Sequence, residues 1–62
     1  MKIASIGIEK WGPENNTRLS LKLDDLSSKE MEALAVLKNN NGGNIIISLG
    51  VDRALLMFYS DN

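Results

Sequence analysis

Cysteine and histidine are both missing from this sequence, which removes disulfides, thiolate nucleophiles, imidazole bases and the usual zinc and iron–sulfur ligand sets together. No apolar run approaches the roughly 20 residues that span a bilayer. The first eight residues have neither a long apolar core nor a processing-site pattern, so they do not read as a signal peptide, and the expected location is the cytoplasm. An excess of positive charge is also lacking. Seven basic and eight acidic residues give a net charge of -1, and the basic ones are interleaved with acids, so the overall field makes nucleic acid an unlikely partner. Trp11, Phe58 and Tyr59 are the only aromatics, too few for a base-stacking sheet.

A catalyst would have to be assembled from carboxylates, lysines, serines or Tyr59. Asp24 and Asp25 are adjacent and point apart on an extended backbone. Glu30 and Glu32 are two apart on a helix and do not face one another. The sequence is therefore read as a non-enzyme with no cofactor and no metal. Its length of 62 residues allows one domain, residues 1–62, with a thin stability margin. Chains of about this size bury only roughly 60% of their unfolded surface and commonly need disulfides, metals, unusually good packing or oligomerisation. With the first two excluded, packing and oligomerisation are left.

What the sequence does contain is patterned apolarity. Residues 2–10 alternate imperfectly, with Ala4, Ile6 and Ile8 on one face, and read as a first strand. A loop through Trp11, Gly12 and Pro13 leads to residues 17–24, where Leu19, Leu21 and Leu23 alternate cleanly with Arg18, Ser20 and Lys22. Helix initiation is the sharpest local signal. Ser27 as N-cap places Glu30 at N3, a capping box, and Leu26 with Met31 form a hydrophobic staple around it. Met31, Leu34, Ala35 and Leu37 make the covered helix face, and the asparagine–glycine stretch at 39–43 stops the helix.

Two apolar runs follow. Residues 44–49 contain three consecutive isoleucines and read as a central strand buried on both sides. Residues 54–59, apolar on both faces, read as a fourth strand closing a hairpin. The competing reading takes Asp52 as an N-cap and residues 53–60 as a second helix. The expected architecture is α+β: a small four-stranded sheet, antiparallel or mixed, with one helix on one face, in the order β-β-α-β-β. The expected core is Leu19, Leu21, Leu23, Met31, Leu34, Leu37, Ile45 and Ile47.

One helix covers one sheet face, so an apolar face is expected to meet a partner. The expectation is a homo-oligomer, a dimer first, with Ile46, Leu56 and Phe58 near the interface centre and Ile6 beside them. Strand parity leaves the inverse assignment open, with Leu55, Met57 and Tyr59 outside. Trp11, Arg18, Arg53 and Tyr59 are further candidate contacts, since aromatics and arginine anchor interfaces. The functional expectation is a protein-interaction module acting by occupancy. The alternatives are an oligomer that sequesters a small ligand or nucleotide, and a weak nucleic-acid binder.

Residues 19–49, LSLKLDDLSSKEMEALAVLKNNNGGNIIISL, resemble a pattern in short phage and prophage accessory proteins. That pattern is an alternating strand, an Asp-Leu-Ser/Thr helix opening, an alanine–leucine helix and a second strand. The resemblance covers about half the chain and implies a mobile-element origin and a role in binding or inhibiting a host protein. Its motifs are structural and carry no catalytic residue.

Overall fold

Local signals decide where the chain turns, and the computed structural model, which describes residues 1–14, 16–40 and 43–60, places elements between those turns. The elements are β1 (Lys2–Trp11), β2 (Asn16–Asp24), α1 (Ser28–Asn40), β3 (Ile45–Leu49) and β4 (Ala54–Ser60). Gly12 starts the β1–β2 turn at φ 74°, a dihedral that glycine adopts without steric cost. After β2, Asp25 takes a left-handed φ of 54°, and the Leu26 amide then donates to the Asp52 carbonyl at 3.0 Å. The capping box forms as expected. The Ser27 amide donates to Glu30 Oε1 at 2.9 Å, and the Glu30 amide donates to Ser27 Oγ at 3.2 Å. At the other end Asn40 Nδ2 donates back to the Val36 carbonyl at 2.9 Å, a side-chain bond onto the preceding turn. Positions 41 and 42 of the expected helix stop lie outside the described residues.

The fold is α+β with the order β-β-α-β-β. All strand pairings are antiparallel, and the sheet order is β1-β2-β4-β3. Residues 54–60 are a strand, so the second-helix reading is set aside. The expected central position of the isoleucine strand is corrected. β3 lies at a sheet edge, and the hairpin folds β4 inward to pair with β2. β4 is thereby an inner strand, as β2 is, with hydrogen-bonded neighbours on both edges. Ile46, on the outward face of β3, is 47% exposed.

The core runs across three strands and the entry to the helix. Leu23, Leu26, Ile47, Ala54 and Leu56 are buried, with Leu21, Met31, Leu34, Ile45, Leu49 and Phe58 packed around them. The register explains the layering, since Leu21, Leu56 and Ile47 stand in one cross-strand row and Leu23, Ala54 and Leu49 in the next. Two expected core residues are not covered. Leu19 is 37% exposed and Leu37 is 42% exposed, because among the described residues β3 is the one strand whose backbone lies close to that of α1. The helix leaves β1 and much of β2 bare. The radius of gyration, 12.7 Å, exceeds the roughly 10.6 Å of a compact chain of this length.

Candidate functional site

The uncovered half of the helix-side face is the most unusual surface of the molecule. Ile6 opposes Leu21 and Ile8 opposes Leu19 across the β1–β2 ladder, and directly opposed residues share a sheet face. Leu21 reaches the core, so Ile6, Ile8 and Leu19 project on the same side as α1. Ile3, opposite Leu23, joins them. All ten residues of β1 are exposed, with Ile6 at 63% and Ile8 at 66%. A register irregularity between Ile3 and Ser5 bends the start of this edge strand, a device that limits open-ended pairing.

The helix forms the wall of this apolar floor. Glu30 Oε1 lies 3.6 Å from the Met1 amine, which turns the Glu30 flank of α1 toward the start of β1. Leu37 is two helical turns further on and shares that flank. An open depression on the opposite flank, bounded by Met31, Ala35 and Leu49, fixes the helix's rotation independently. The result is a step: two layers thick over β3, one layer over β1 and β2, with Ile6, Ile8 and Leu19 on the tread and Leu37 on the riser.

The other sheet face carries a different cluster at one end. Glu9, Arg18 and Tyr59 occupy adjacent strands in one cross-strand row. Arg18 donates to Glu9 in an ion pair, and the Tyr59 hydroxyl, followed by Glu9, raises the arginine's pKa above its ordinary value. Trp11 meets Tyr59 edge to face, with ring centroids 6.2 Å apart. Arg18 Nε and Asn16 Oδ1 are buried without a hydrogen-bond partner among the described residues. The cluster's one cation is thus already matched by a carboxylate.

The candidate contacts named from sequence separate accordingly. Trp11, Arg18 and Tyr59 come together, whereas Arg53 sits at the opposite end of β4, 3.7 Å from Asp24. The expected interface set is also divided. Leu56 is 5% exposed and lies in the core, with Phe58 on the same side, while Ile46 lies on the outer face. Ile6 belongs to the apolar step. The inverse parity is the one adopted, with Leu55, Met57 and Tyr59 on the face away from the helix. Among the described residues no helix is long and apolar enough to cross a membrane, and no three acidic side chains gather as metal ligands. Searches of family models, characterised proteins and solved structures return no match for this chain.

Proposed function

We propose that the chain is a small protein-interaction module that works by occupancy, without turnover, and that its binding surface is the apolar step beside α1. The observation that carries this reading is the exposure of Ile6, Ile8 and Leu19 as a contiguous row on the core side of the sheet. Scattered surface isoleucines need no explanation, but a contiguous apolar patch walled by a helix marks an interaction surface. An inhibitor of a host protein is one form of this reading, supported by the resemblance of residues 19–49 to phage accessory proteins. Nucleotide sequestration and nucleic-acid binding would draw on Arg18, Arg53, Trp11 and Tyr59. The separation of Arg53 from the other three, and the pairing of Arg18 with Glu9, give those readings less support.

Immobilised wild-type chain, Ile8→Asp and Ile46→Asp test the proposal. The expected result is a specific protein, whether another copy or a different chain, retained by wild type and by Ile46→Asp and lost from Ile8→Asp. Retention that ignores Ile8→Asp, with the variant folded by circular dichroism, would refute the assignment of the surface.

A further inference from the structure

Resting on that reading, we infer that the occupant of the step is a second copy of this chain. The two copies would meet face to face about a two-fold axis running along the strands. Each β1–β2 ribbon then lies under the other, level with the other copy's helix.

The shape argument comes first. Sheets pack roughly 10 Å apart, and a helix with its side chains is about 10–12 Å across. A β-ribbon placed beneath the bare half of the sheet therefore occupies the same layer as α1. The molecule is one layer over β1 and β2 and two layers over β3, so two such steps related by a two-fold axis fill each other. An isologous contact needs this self-complementarity, with one patch serving both sides.

Area points the same way. The accessible surface of the chain is 4511 Å², whereas a compact monomer of 6.8 kDa exposes about 4,000 Å². The excess, roughly 500 Å² per chain, belongs to the whole elongated chain; a pair burying that much on each side would just reach the roughly 1,000 Å² of a specific interface. Chemistry agrees: Ile6, Ile8 and Leu19 would face the same apolar row of the partner and Leu37 the partner's β1, with Lys10 of the next row at the rim, and a net charge of -1 per chain offers little repulsion. Pairing of the two β1 edges in one continuous sheet is the competing geometry. It would leave Ile6 and Ile8 in water and double the exposed apolar floor.

Sedimentation across micromolar concentrations reads the mass, with Ile8→Asp as the disrupting variant and Ile46→Asp as the control on the outer face. A dimer that Ile8→Asp converts to a folded monomer and Ile46→Asp leaves intact is expected. The absence of cysteine allows a clean second measurement. Chains carrying Leu37→Cys mixed with chains carrying Ile6→Cys should be joined across the pair by a short bismaleimide, because each helix flank lies beside the partner's β1. Hydrogen exchange should show every second amide of β1 unprotected. A wild-type monomer at all concentrations overturns the inference, and the interaction reading is then judged separately by whether Ile8→Asp abolishes capture of a different protein. A dimer whose β1 amides are all protected and whose mixed chains do not cross-link overturns the face-to-face geometry.

Discussion

Leu56 and Ile46 lie on neighbouring strands and look alike in the sequence, yet the fold puts them on opposite faces with very different surroundings. Leu56 is 5% exposed in the row between Leu21 and Ile47. Replacing such a leucine by alanine removes buried surface and leaves a cavity, at a cost of about 2–5 kcal/mol. Ile46 is 47% exposed, so only about half of the ~1.5–3 kcal/mol available from burying such a side chain is realised, and Ile46→Ala should cost about 1 kcal/mol. A chain of this length carries a total stability of roughly 3–9 kcal/mol at ~0.05–0.15 kcal/mol per residue. Leu56→Ala therefore removes a large part of it. Urea unfolding, followed by far-ultraviolet circular dichroism, reads both variants as shifts in midpoint. Should Leu56→Ala be unfolded outright, Leu56→Val, at about 1 kcal/mol for roughly one methylene, restores a measurable transition. Equal shifts for Ile46→Ala and Leu56→Ala, or a larger one for Ile46→Ala, would refute the face assignment and with it the position of the step.

Four further expectations follow from the local geometry. Ser27→Ala removes one arm of the capping box and should cost about 0.5–2 kcal/mol, read as a fall in melting temperature of about 4–8 °C per kcal/mol in a domain of this size. Hydrogen bonds from Ser27, its backbone amide foremost, lower the pKa of Glu30, so the carboxylate's contribution is complete above the usual carboxylate range and is lost as pH falls through the lowered value; Glu30→Gln should reduce the acid-induced drop in melting temperature. Gly12→Ala meets no steric neighbour, but it holds an L-residue at φ 74° and should cost about 1–2 kcal/mol, whereas Gly12→Asn should cost less. Tyr59→Leu removes the edge-to-face partner of Trp11, an interaction worth about 0.5–1.5 kcal/mol beyond burial; intrinsic tryptophan emission should change, and an unchanged spectrum would contradict the contact.

The elements that could be read from sequence are those whose signals are local. The alternation of Leu19, Leu21 and Leu23, the Ser27–Glu30 capping box and the β3–β4 hairpin all depend on neighbours within a few residues, and each is present in the structure. Strand order is not local. The isoleucines of β3 and the apolar run of β4 look equally fit for a central position, and the choice is made by β2, which pairs with β4 along Thr17–Leu23 and leaves β3 outside. The same non-local choice moved Leu56 and Phe58 to the core side. It also brought Arg18 beside Tyr59 through a pairing between positions far apart in the chain.

The bare half-face, by contrast, follows from widths that any sequence of this pattern implies. Strands lie about 4.8 Å apart, so one helix about 10–12 Å wide spans two strands and leaves two of four uncovered on its own side. The assumption that one helix protects a whole face fails on this count. With the α1 backbone close to β3 and Met31 and Leu34 packed on the core, the uncovered strands are β1 and much of β2. Their core-side residues, Ile6, Ile8 and Leu19, are apolar because they continue the rows that Leu21, Leu56 and Phe58 begin. The apolar step is therefore the continuation of the core beyond the reach of the one helix available to cover it.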